Sequence, residues 1–218
     1  MKNISKAIDI SEYLRNNHKN IYNTNKVHYC IGINDADYST DTSENRQRIS
    51  CPCYKAWVRM LERAYSSKWH DKYPSYSNVL VCKDWLYFSN FRKWWINNYT
   101  DGYQLDKDIL SQEIKIYSPE TCIYIPQWLN KFTIDCSRTR GYYKIGVTYH
   151  NISGKFQARC RNPVTKKREC LGLFESECGA HDAWLKRKLE LALELKQEMD
   201  AIDLRIYPNV VEIIKNIK

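Results

Sequence analysis

Asp106-Lys107-Asp108 sets two carboxylates around one ammonium, and Asn130 follows 24 positions later in a segment that reads as a helix. Between them runs a polar loop and then a short apolar stretch, Ile123-Tyr124-Ile125. Pro126 suits the first turn of a helix, because its missing N–H would have no intrahelical partner there. Strand, loop, strand and helix, with an acid at the front and an amide in the helix, is a layout that suits phosphodiester hydrolysis. Such chemistry needs a divalent cation, Mg²⁺ or a similar ion, gripped from two sides beside the scissile phosphate, and a base to activate water. Read as no more than local structure, Asp106-Lys107-Asp108 is a solvated turn, and Tyr117-Ser118-Pro119-Glu120 is another, since Ser-Pro favours turn initiation.

These pieces resemble the HNH (His-Me finger) endonucleases in the divergent form common in bacteriophages. The matching residues are Leu105-Asp106-Lys107-Asp108 and Tyr117-Ser118-Pro119-Glu120-Thr121-Cys122. The resemblance implies that Asp106 is the metal-binding acid and Asn130 the second ligand. Lys107 falls at the position of the general-base His, and Thr121 at that of the middle Asn which orients it. Two positions therefore depart from the pattern. A Lys near its ordinary pKa of ~10.4 is a poor base at neutral pH, and flanking carboxylates favour its protonated form. The resemblance implies a DNA endonuclease, the homing type included. The departures define the alternative, a DNA-binding protein without cleavage or an inhibitor of host machinery on the same scaffold.

The elements that would position these residues are legible upstream. Tyr54, Trp57, Val58, Leu61 and Tyr65 recur at three- and four-residue steps and predict an amphipathic helix. A second helix is expected over Trp85–Asn97, with Trp85, Phe88, Phe91, Trp94 and Trp95 on or near one face and Asp84 as its cap. An aromatic stripe at that spacing reads as core. Residues 54–130 as a whole resemble the phage HNH-like proteins. His70, in a loop beside Asp71, is a candidate for a displaced base. Cys51-Pro52-Cys53 has the wrong spacing for a zinc knuckle.

Before these helices, residues 1–50 carry less signal. Ile4–Leu14 predicts a short helix and Val27–Ile33 a strand. Asn34-Asp35-Ala36-Asp37 reads as a turn, and the polar run Ser39–Arg48 as an exposed loop.

Downstream the composition shifts. From Ser137 to Lys188 there are twelve Lys or Arg against four Asp or Glu, which accounts for most of the chain's net charge of +9. A local cationic surplus of that size calls for a polyanionic partner. Three short strands are expected, Ile145–Tyr149, Gly154–Cys160 and Glu169–Phe174, with turns at 151–154 and 162–165. A long helix is expected from Cys178 to about Asp200.

Gly146-Val147, Lys155-Phe156-Gln157-Ala158-Arg159, Leu171-Gly172-Leu173-Phe174 and the helix over Ala180–Leu189 resemble the DNA-binding domain of the plant ethylene-response-factor (Apetala) class. The resemblance implies a three-stranded sheet laid in the major groove of double-stranded DNA with the helix behind it, a fit such a β surface allows. Arg159 and Arg161 would alternate outward to base edges, and Tyr149 and Lys155 would flank the first turn. Lys166, Lys167 and Arg168 would reach phosphates, which position a protein without reading sequence.

The expected class is α+β, in four stretches. These are an N-terminal extension (1–50), a helical and aromatic part with a ββα-metal-type module (51–136), a three-stranded antiparallel sheet packed on one long helix (137–200), and a helical tail (201–218). The chain has 218 residues, of which 43% are hydrophobic, enough for sizeable cores. No apolar run approaches the ~18 residues of a membrane span. Met1-Lys2-Asn3 leads into polar sequence with no apolar segment of an export signal. A cytoplasmic location with nine reduced cysteines is therefore the expectation.

Overall fold

Pro52 opens the first large helix, as an N1 proline should, and the aromatic residues after it nucleate a core. In the computed structural model, which describes residues 5–19, 26–111, 113–134 and 141–217, the chain is α+β. Among the described residues there are eight α-helices, one three-stranded antiparallel sheet near the C-terminus and several two-stranded sheets. None of these helices is long and apolar enough to cross a membrane.

The first part begins with α1 (Lys6–Asn17), capped by Ser5, whose hydroxyl accepts from the Ile8 N–H. The single strand expected over Val27–Ile33 is instead a hairpin of β1 (Lys26–His28) and β2 (Gly32–Asn34). Tyr29 and Cys30 turn it with φ of 52° and 61°. Gly32 has no substitute there, since a Cβ would lie 2.2 Å from Leu61 Cδ1.

The exposed loop expected over Ser39–Arg48 is also a hairpin, β3 (Asp41–Glu44) with β4 (Gln47–Ser50). Asn45 and Arg46, with φ of 47° and 63°, make its two-residue turn, the primed geometry that matches strand twist. Its polar sequence hid it. The clamp is Asp41, which accepts from Arg48 Nε at 2.9 Å and from Ser50 Oγ at 2.5 Å.

Next come α2 (Pro52–Tyr65) and α3 (Ser67–Lys72). Trp57, Met60, Leu61 and Ala64 form the buried stripe of α2. Strand β5 (Leu80–Val81) follows. Lys83–Leu86 is a 3-10 turn, so the expected second helix starts later, as α4 (Phe88–Asn98), and Trp85 lies outside it. Asp84 does not cap α4. The carboxylate of Asp35 does so from 54 residues away, taking the Ser89 N–H at 2.8 Å and its hydroxyl at 2.6 Å. Trp57, Trp85, Phe88, Phe91 and Trp95 are all buried and form one aromatic core. The indole N–H of Trp57 is satisfied by the Trp85 carbonyl at 2.7 Å.

Three short strands then frame the segment around Asp106. They are β6 (Tyr103–Asp106), β7 (Ile116–Tyr117) and β8 (Ile123–Pro126). β7 pairs with β5 in parallel, and β6 pairs with β8. β8 runs into α5 (Gln127–Thr133), giving the expected ββα order along the chain. Within β8, after Tyr124, the chain divides into two compact units. The boundary expected at 136/137 falls on residues outside those described.

The second unit contains β9 (Val147–His150), β10 (Lys155–Arg161) and β11 (Arg168–Phe174), in the order β11-β10-β9. On them lies α6 (Glu177–Glu194), N-capped by Ser176, whose hydroxyl accepts from the Gly179 N–H. The expected single helix to Asp200 breaks at Leu195 and resumes as α7 (Lys196–Asp200). A last helix, α8 (Ile206–Asn216), buries Ile206, Val210 and Ile214 and packs on α6, with Pro208 in its first turn.

Gly146 sets the closeness of sheet and helix. It sits at φ 81°, and a Cβ there would lie 2.1 Å from the Trp184 ring. Only glycine tolerates both conditions.

Candidate functional site

β6 delivers Asp106 to the start of a turn, and that turn uses it. Asp106 Oδ1 accepts the N–H groups of Asp108 at 2.9 Å and Ile109 at 2.8 Å. Burial raises the carboxyl above the ordinary range, while those two N–H bonds pull it back. Lys107 is 5% exposed. Its ammonium lies 2.5 Å from Asp108 Oδ1 and over the rings of Tyr76 and Tyr117, 5.4 and 5.8 Å from their centroids. One carboxylate and two aromatic faces thus enclose the ammonium, leaving it little room to approach a substrate.

Thr121 is buried and occupied as well. Its hydroxyl bonds the Ile116 carbonyl at 2.5 Å and receives the Ser118 N–H at 3.2 Å, locking the turn that Ser118-Pro119 begins. Arg63 joins this cluster, with the Tyr117 hydroxyl and the Asp106 charge favouring its cation against burial. Sequence reasoning left Arg63 off the apolar face of α2. The aromatic residues that cover it come from distant segments, so no local signal announced it. His70 bonds the Arg63 carbonyl at 3.0 Å through Nε2, a structural contact. Cys51 and Cys53 are both buried in the core.

Asn130 lies on α5, in the second unit, and is not without a partner. A divalent cation asks for several oxygen ligands at once. Among the described residues no group of three or more His, Cys, Asp or Glu gathers to supply them. Asp106 has one oxygen committed to backbone, and Lys107 already places a cation in its turn. These residues of the first unit do not fit a divalent ion by themselves.

The sheet of the second unit is arranged differently. Phe156, Ala158 and Cys160 alternate toward α6, and Ala158 and Cys160 are almost fully buried. By the period-two rule Lys155, Gln157, Arg159 and Arg161 take the other face. Register extends that face to Thr148 and His150 on β9, and to Cys170 and Arg168 on β11. Arg161 stands directly across from Arg168, and Arg159 across from Cys170. Neither Arg159, Arg161 nor Arg168 forms an ion pair with any described residue. Lys155 does, with Glu175 at 2.6 Å. Arg187, on α6, is held by Glu169, Glu190 and Glu194.

Tyr149 departs from the expected set. It pairs in register with Phe156, so it shares the helix-side face, and its ring meets that of Phe156 edge-on at 5.4 Å.

A register shift opposite Ala158 and Arg159 marks a bulge on β11, where Leu171 is the extra, unpaired residue. Gly172, at φ 128°, supplies the backbone for it. Bulges bend the strand that carries them, here β11, which also carries Arg168.

The turn from β10 to β11 holds its cations outward. Asn162 Oδ1 accepts the N–H groups of Val164 at 2.9 Å and Thr165 at 3.1 Å, and Lys166 adopts φ 59°. Lys166, Lys167 and Arg168 are all exposed. The face and its turn thus carry five free-standing or solvent-facing cations, a pattern suited to a polyanion.

Compared with known proteins, a 54-residue stretch is 48% identical to the Ethylene-responsive transcription factor ERF117 of Arabidopsis thaliana. That stretch is 23% of this chain and only 16% of the relative's length. No protein-family model matches the chain, and no solved structure matches it.

Proposed function

We propose that this chain binds double-stranded DNA through the outward face of the sheet formed by β9, β10 and β11. The observation that carries the reading is Arg161 directly across from Arg168, with Arg159 beside them and no carboxylate among the described residues paired with any of the three. Like charges in register destabilise a sheet by some tenths of a kcal/mol or more. A phosphate backbone turns that cost into affinity. Arg159 and Arg161 are placed to meet base edges, and Lys166, Lys167 and Arg168 to grip phosphates. The relative's printed name, a transcription factor, supports the same reading for the stretch it shares.

A second reading is DNA cleavage with Mg²⁺ or another divalent cation, for which Asp106, Lys107, Asp108 and Thr121 of the first unit and Asn130 on α5 are the candidate residues. The ββα order favours it. The burial of Lys107 and the use of Thr121 as a turn lock favour binding without cleavage. Incubating the protein with duplex DNA and Mg²⁺ or Mn²⁺, beside Asp106→Ala, separates the two. Retarded mobility without cutting, weakened steeply by salt, supports binding alone. Cutting by the parent and not by Asp106→Ala supports the nuclease. No retardation at low salt removes the binding proposal.

A further inference from the structure

The arginine face does not end at the tip of β10. Arg161 and Lys166 also line a cleft of about 170 Å³ that lies wholly in the second unit, and its far wall is α5. Trp128 and Lys131, three residues apart and so neighbours on one side of α5, form that wall with Phe132. Trp128 is half-buried, with ring surface left facing the cleft, while Phe132 is buried and its ring carries the Lys188 ammonium at 3.6 Å from the centroid. Four cationic side chains, Lys131, Arg161, Lys166 and Lys188, thus share a small cleft with no carboxylate among the described residues that line it. A cavity near 150 Å³ holds one six-membered aromatic ring.

We infer that this cleft receives a single unpaired nucleotide of the bound DNA, its base against Trp128 and its phosphate among Lys131, Arg161 and Lys166. The inference rests on the DNA-binding reading above and deepens it. Two features select an unpaired nucleotide. A base inside a duplex hides both faces in the stack, so an accessible indole gains nothing from it, whereas an unstacked base offers a face to any aromatic. The cations alone would serve any phosphate, but their arrangement around one aromatic wall asks for a phosphate and a flat ring together. Because Arg161 belongs to both surfaces, the sheet and the cleft would engage neighbouring positions of one DNA, such as a duplex with a bulged or overhanging base.

The test compares two synthetic duplexes, one fully paired and one with a single bulged nucleotide, by anisotropy titration with the full chain. Base–aromatic stacking leads to a preference of about tenfold for the bulged duplex. Trp128→Ala is expected to abolish that preference while leaving affinity for the paired duplex within about twofold, and Trp128→Phe to restore most of it. Arg159→Ala should weaken both duplexes alike. Equal affinity of the parent for the two duplexes overturns the inference and leaves the sheet proposal standing. So does a preference that survives Trp128→Ala. No binding to either duplex removes both.

Discussion

Arg161 and Arg168 occupy a position where a stable sheet would rather have an opposite pair or two β-branched residues. Replacing one of them separates stability from function. Arg168→Thr should raise the urea midpoint by the equivalent of about 0.5 kcal/mol, by relieving the cross-strand repulsion. It should also weaken DNA binding about tenfold. A variant that loses stability and keeps its affinity would show that the arginines are structural. Asp106 gives a second handle. Its folded carboxyl is raised chiefly by burial, so the folded state holds that proton more tightly than the unfolded chain does. Its contribution to stability is therefore greatest below the ordinary carboxylate range, and falls as pH rises from there through the raised folded value. Asp106→Asn keeps an oxygen for the N–H groups of Asp108 and Ile109 and removes the charge. Urea midpoints measured across pH 3 to 7 should fall less steeply with rising pH in Asp106→Asn than in the parent.

The elements owe their positions to a few close approaches. Sheet and α6 meet at Gly146, where positive φ and the Trp184 ring both exclude a side chain. An L-residue in that backbone region costs about 1–2 kcal/mol, and overpacking adds roughly 1–3. Gly146→Ala should therefore cost about 2–5 kcal/mol by chemical denaturation. Gly154 shares the positive φ, but its nearest neighbour is the Tyr149 hydroxyl at 3.7 Å, so Gly154→Ala should cost only the backbone part. A similar loss at both sites would mean that the Trp184 contact does not set the spacing. The three strands were legible from turn residues and period-two alternation, each within a residue or two of its observed ends, and so was the start of α6, but not the break at Leu195 that ends it. The β3–β4 hairpin was not, because its strands are polar apart from Ile49 and its turn, Asn45-Arg46, lacks the glycine that usually marks one. The start of α4 was misplaced for a related reason. Asp84 is the nearest acid in sequence, but Asp35 reaches the helix N-terminus in space.

At the scale of the whole molecule, charge and covering decide what the chain can touch. More than half of the net charge of +9 comes from Val147–Phe174, the sheet and its turns, with six Lys or Arg against one Asp or Glu. If Lys166, Lys167 and Arg168 neutralise about three phosphates, log K should fall with log salt at a slope of about −2.7. Replacing Lys167 with Ala should reduce that slope by about one, equally on any DNA sequence. A flat salt response would sink the phosphate-contact assignment. Composition, periodicity and turn chemistry determined by themselves that there is an aromatic helical core, three basic strands and a helix following them, because those signals act between residues close in the chain. Only the tertiary structure decided that Lys107 is sealed between Tyr76 and Tyr117, that Thr121 is occupied by its own turn, that Tyr149 belongs to the helix side, and that Trp128 opens into a cationic cleft. Each of these depends on what distant segments bring to cover a side chain or leave it open, and no spacing in the sequence encodes that.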